Sequence, residues 1–207
     1  MINISNHLNS ILPLVEKPGR YTGGEFNQIR KEWDSVLIKV ALAFPDVYEI
    51  GLPNLGLAIL YSEINKRKDS LAERVYAPWI DFEKFLREKN IPLFSLENKV
   101  DLKSFDVIGF SLPYETLYTN VLNMLELSDI AIHNNERQLD DPIIIAGGHA
   151  CFNPEPMHAF IDAFVIGDGE EVIHEILDVL SIKKLKKIPR DEIIDSLAII
   201  SGVYVPS

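Results

Sequence analysis

One rhythm constrains this chain more than any other feature. An apolar, β-branched run stops at a glycine, a proline or a small polar residue, and a helical stretch follows, about five times over. "SVLIKVALAF" halts at Pro45, and "AERVYAPW", "DVIGFSL", "PIIIAGG" and "AFVIGDG" repeat the theme. Between them, the apolar positions from Leu55 to Lys66, the stretch "IDFEKFLREKN" with Phe82, Phe85 and Leu86 on one side, "TLYTNVLNMLELS" and "EEVIHEILDVLSI" have helical spacing. "DVIGFSL" and "PIIIAGG" carry few polar interruptions, as strands covered on both faces do. Strand and helix in alternation predict an α/β, doubly wound domain with a mainly parallel, five-stranded sheet.

Such a sheet is flavodoxin-like or Rossmann-like, and its ligands bind outside the carboxyl ends of the strands, where strand order reverses. The candidates for function therefore lie at 45–56, 111–115, 147–153 and 167–171. Residues 1–34 read as an N-terminal extension, 35–188 as the α/β domain and 189–207 as a linker. Three glycines and a proline between 18 and 24 argue against regular structure there. "QIRKEW" reads as helical and "IPLFSLE" as a short extra strand. The tail, a short helix and then the β-type "GVYVP", stops as if a further domain should follow.

Composition narrows the function. With 207 residues, 47% hydrophobic and 25% charged, the chain can fill a full core. A net charge of −11 argues against a general binder of nucleic-acid backbones, and the basic "KKLKK" at 183–187 fits a solvated helix end. The single cysteine, Cys151, excludes an internal disulfide and a cluster held by several thiolates of this chain. No run approaches a membrane span and no basic, apolar leader opens the sequence, so a cytoplasmic location is expected, with no membrane partner.

Three strand ends carry the candidate site: Asp46-x-Tyr48-x-x-Gly51, Ser111-Leu112 and Gly147-Gly148, with His149 next in line. With histidine in place of Tyr48 the first would be DxHxxG, the loop that offers a lower axial ligand to cobalt in cobalamin-binding domains. A small hydroxyl then lines the pocket for the nucleotide tail, and paired glycines admit the tail to the backbone. Phenol is a poor substitute for imidazole, because its proton leaves near pH 10 and removing it at neutrality costs about 4 kcal/mol. Tyr48 also has a plain structural reading, as an amphipathic ring at the sheet edge. His149, Cys151 and His158 lie close in sequence but lack the ligand spacing of zinc, and His7, His133 and His174 read as surface residues. In "IGDGEE", Asp168 can cap a helix while Glu170 and Glu171 meet its positive end. No Walker loop, GxGxxG or GxSxG is present.

"KPGRYTGGEFN", "LAFPDVYEIGLPNLGLAILY", "ERVYAPW", "PLFSLE", "FDVIGFSLPYETLYTNVLNML", "IAGGHACFNPEP" and "DAFVIGDGEE", in that order, resemble the N-terminal part of radical SAM proteins that carry a cobalamin-binding-like domain. The resemblance implies an accessory domain facing a C-terminal radical SAM barrel of the same protein. There a CxxxCxxC loop would hold a four-iron four-sulfur cluster that cleaves S-adenosylmethionine, and Cys151 matches no member of that triplet. It also implies a corrinoid or substrate cavity with Asp46, Tyr48, Gly51, Ser111, Gly147, Gly148 and His149 as its residues. Two alternatives stay open: a scaffold that only packs on the barrel, and a flavodoxin-type carrier of FMN, for which the first loop lacks a hydroxyl-rich phosphate cradle.

Overall fold

The computed structural model describes residues 4–206. Its main elements are α1 (Ile4–Ile11), α2 (Gly19–Thr22), β1 (Ile38–Phe44), α3 (Tyr48–Gly51), α4 (Leu55–Lys66), β2 (Ser70–Tyr76) and α5 (Ile80–Lys89). They continue with β3 (Val107–Ser111), α6 (Tyr118–Leu127), β4 (Ile143–Gly147), β5 (Ala163–Val165), α7 (Gly169–Lys186), α8 (Arg190–Leu197) and β6 (Val203–Tyr204). The strands form one sheet in the order β2-β1-β3-β4-β5-β6, parallel from β2 to β5.

The chain leaves β1 in one direction to make β2 and returns in the other to make β3. Right-handed crossovers then put the connecting helices on opposite faces, so strand order reverses between β1 and β3. One layer holds α4 and α7, joined by Arg67 to Asp178 at 2.7 Å. The other holds α5 and α6, joined by Arg87 to Glu126 at 2.9 Å. The expected doubly wound sheet is therefore present, with six strands instead of five. "GVYVP" supplies the sixth, antiparallel to β5 through Phe164 with Tyr204 and Val165 with Val203.

Buried charge anchors this last segment. Arg190 donates to Asp162 Oδ2 at 2.6 Å and to the carbonyls of Asp141 and Pro142, while Arg137 lies 3.0 Å from Asp162 Oδ1. Asp162 and Pro142 immediately precede β5 and β4, so the cluster pins α8 to the amino end of the sheet.

Two local expectations fail for one reason, the sealing of the β2 edge and its surroundings. "QIRKEW" is not an α-helix, only Trp33 entering a single 3-10 turn: Ile29 N–H donates to the Tyr61 hydroxyl, and Lys31 Nζ reaches the carbonyls of Arg67 and Ser70. "IPLFSLE" forms no strand beyond a single Phe94–Asp101 bridge. Instead Leu96 N–H donates to the Arg74 carbonyl, and the Glu97 carboxylate accepts from Arg74 N–H. Asn65 completes the seal, its amide meeting both the N–H and the carbonyl of Ala72 at 3.1 Å. Side chains thus take the hydrogen bonds that an exposed edge would offer to another chain.

The 18–24 segment does contain one helical turn, α2, held from outside. Tyr21 stacks on Phe82 with ring centroids 3.8 Å apart, and Arg20 donates to the Glu49 carboxylate. The second strand also begins earlier than "AERVYAPW" suggests, at Ser70.

Candidate functional site

A cavity of about 470 Å³ opens at the carboxyl rim, beside the reversal point, and descends between the sheet and the layer of α4 and α7. Strand register sets its floor in tiers. Side chains two apart on a strand share a face, so Val40 beside Val107 form the deepest tier. Leu42, Gly109 and Ile145 lie across the middle, and Ser111, Gly147 and Val165 at the top. Leu57 and Leu60 of α4 and Ile173 and Ile176 of α7 form the wall.

The space exists because two floor positions carry no side chain. Gly109 is only half-buried in the middle of a central strand, while its neighbours Ile108 and Phe110 are buried. A Cβ added there would meet nothing nearer than Leu42 Cδ2 at 3.6 Å, and one at Gly147 nothing nearer than Val165 at 3.8 Å. Neither glycine is required by its backbone, and both leave the sheet bare. Glycine inside a strand weakens it and often marks the close approach of a ligand.

Gly148 has a different cause. Its φ is +112° and a Cβ would lie 2.6 Å from the Leu112 carbonyl oxygen. That contact is part of a clasp: Leu112 N–H donates to the Gly147 carbonyl, and the Leu112 carbonyl accepts from Ala150 N–H. The Ser111-Leu112 and Gly147-Gly148 signals are thereby one structure, which sets the exposed His149 at the cavity mouth.

Polar groups line the mouth. Asn54 caps α4, accepting from Leu57 N–H at 2.9 Å, and Ser111, His149, Asp168 and Glu170 stand around it. Asp168 occupies the position before α7 but makes no capping bond, contrary to expectation. Among the described residues neither lysine nor arginine lines the cavity, and Asp168 and Glu170 give its mouth a negative field.

The first loop serves another purpose. Asp46 Oδ1 accepts from Val47 N–H, Tyr48 packs edge-on against Tyr76 with centroids 5.5 Å apart, and its hydroxyl donates to Glu25. A Cβ at Gly51 would sit 2.5 Å from the Tyr76 ring, so this glycine makes room for Tyr76. Ser111, Gly147, Gly148 and His149 thus line the cavity, while Asp46, Tyr48 and Gly51 form a packed corner beside it. Burial with the Glu25 carboxylate pushes the Tyr48 phenol up to about 12.

Sequence reasoning missed Gly109, Asn54 and the wall residues. The isolated glycine within "DVIGFSL" was the available signal. The Leu57 and Leu60 stripe looks like any buried helix face. Cys151 is buried among apolar groups, which push its thiol up to about 12. Among the described residues no three His, Cys, Asp or Glu side chains are grouped to hold a metal. No helix among them is long and apolar enough to cross a membrane.

Comparison with known proteins places these features in a family. An uncharacterized protein of Methanocaldococcus jannaschii is 25% identical over 142 residues, covering 67% of this chain and 26% of the relative. The chain thus spans about a quarter of that relative's length. No solved structure matches. The family described as radical SAM proteins, N-terminal, matches residues 56–206, from the start of α4 through β6. The chain belongs to this family of radical SAM N-terminal domains.

Proposed function

We propose that the domain binds a corrinoid of the cobalamin type, with the nucleotide tail in the cavity and the corrin over the rim, as an accessory module of a radical SAM enzyme. The observation that carries this reading is the hollow floor at Gly109 and Gly147, which gives a flat group access to the middle of the sheet. The residues fit the tail's chemistry. Ser111, Asn54 and His149 offer hydrogen bonds at the mouth for ribose and phosphodiester oxygens, and hydrocarbon lines the depth. When bound, the corrinoid would supply organocobalt group transfer. Tyr48 would leave the lower face of cobalt without a protein ligand, since its hydroxyl stays protonated and committed to Glu25. The iron–sulfur cluster and S-adenosylmethionine would be held by a C-terminal radical SAM domain, this domain's partner, as the chain's lone cysteine cannot hold a cluster alone.

A second reading, a scaffold that only packs against that domain, is favoured by apolar side chains exposed on the rim loops. Ile50, Leu55, Trp79 and Phe152 are between 40% and 72% exposed. FMN fares worse, because its phosphate monoester carries more negative charge than the single charge of the corrinoid's phosphodiester, and Asp168 and Glu170 stand at the mouth without a lining cation among the described residues. Titration with hydroxocobalamin and, separately, FMN, followed by absorbance and passage through a desalting column, tests the three. The corrinoid should be retained and FMN lost. Loss of both leaves the scaffold.

A further inference from the structure

We infer that a second, much smaller cavity beside α2 binds one structural water, which satisfies the buried Tyr76 hydroxyl and fastens the end of β2 to the N-terminal extension. This cavity is lined by Arg20 and Tyr21 of α2 and by Tyr48, Tyr76, Phe82 and Phe94 among others, and it shares no lining residue with the cavity over the sheet. The inference is therefore independent of the corrinoid reading. The cavity gives about 20 Å³ of room to the centre of a water molecule. One bound water needs about 10–15 Å³ on that measure, together with two to four polar partners.

Tyr76 supplies the demand. It is 8% exposed, and its buried hydroxyl meets no hydrogen-bond partner among the described residues. The ring is held in place, edge-on to Tyr48 and against Gly51, where even a Cβ would collide with it. Buried hydroxyls are satisfied by protein or by ordered water, because one left alone loses the bonds that the unfolded chain makes with solvent. The neighbours supply the remaining partners. Tyr21 Oη accepts from Trp79 N–H at 3.1 Å and keeps its own proton to donate, while Tyr48 Oη gives its proton to Glu25 and keeps a lone pair. Arg20, held through Nε by Glu49, brings further N–H donors. A water among these groups joins α2, the turn after β1 and the end of β2 at one corner.

High-resolution crystallography of the purified protein, read together with urea denaturation of Tyr76→Phe, tests the site. A water peak is expected about 2.7–3.0 Å from Tyr76 Oη and within hydrogen-bond distance of at least one of Tyr21, Tyr48 and Arg20. The phenylalanine variant keeps the ring and its packing, so its stability isolates the hydroxyl. If that hydroxyl is bonded to a bound water, its removal raises the unfolding equilibrium constant about fivefold. If it is unpaired, its removal leaves the constant unchanged or lowers it. A cavity without the peak, a peak that makes no bond to Tyr76, or a variant at least as stable as the natural protein overturns the inference. The corrinoid titration stands apart from all three results, because the two cavities have no residue in common.

Discussion

Tyr48 Oη donates to Glu25 Oε1 at 2.7 Å, tying the loop after β1 to the N-terminal extension. The position that presents imidazole to cobalt in ligating domains here serves as a fastener. Burial and the Glu25 carboxylate raise its pKa from 10.0 to about 12. A raised folded-state pKa stabilises the fold fully below the unfolded value, and that stability is lost as pH rises through the folded one. Tyr48→Phe should cost about 1 kcal/mol in urea denaturation at neutral pH. It should also flatten the loss of stability between pH 10 and 12, and leave the spectrum of a bound corrinoid unchanged. A changed cobalt spectrum would return Tyr48 to the coordination sphere.

Two glycines two turns apart in role should respond in opposite ways to alanine. At Gly109 a methyl group makes an ordinary contact with Leu42, 3.6 Å away, and relief of glycine's entropy should raise stability by about 0.5–1 kcal/mol. At Gly148 the same methyl collides with the Leu112 carbonyl in a left-handed backbone, and the loss should be about 1–3 kcal/mol or more. Equilibrium denaturation of the two variants is the measurement. Destabilisation at Gly109 matching that at Gly148 would show that the floor is closed.

The same contrast explains what was legible in the sequence. Strand-end glycines and the strand–helix rhythm announce the sheet and its functional rim, because both are local and periodic. The cavity itself is a difference between what fills a face and what could fill it. Val40, Leu42 and Ile145 read as core, as they would in a closed sheet, and only their register with Gly109 shows that the face is hollow. The edge seal was equally illegible. "QIRKEW" has helix-forming residues, yet Lys31 contributes more by reaching two carbonyls near β2 than by joining a helical turn.

Asp162 stands between two buried guanidiniums, 3.0 Å from Arg137 and 2.6 Å from Arg190. Asp162→Ala should therefore destabilise the protein by about 3–5 kcal/mol, because it strands both charges. Arg190→Met should cost less, since Asp162 keeps Arg137 and its bond from Ile144 N–H. Urea denaturation gives the order. Limited proteolysis should show cleavage after α7 rising in the Arg190 variant, because α8 loses its anchor.

Lys99 gives a test on the alkaline side. Its ammonium donates to the carbonyls of Leu96 and Thr22, joining the extension to the cover of β2 from a half-buried position. Burial pushes its pKa down from 10.5 to about 8, against the opposing pull of Glu97 and Glu73. Between these values the unfolded chain binds more protons than the native one, so this group makes stability rise as pH climbs from about 8 to 10.5. Below pH 8 its contribution is flat. Thermal melts of the natural protein and of Lys99→Met across this range isolate the effect, since other titrating groups are common to both. The difference in Tm should move steadily in favour of the natural protein with rising pH. A constant difference would mean that Lys99 is as well solvated in the fold as out of it, and that the extension is held by its other contacts.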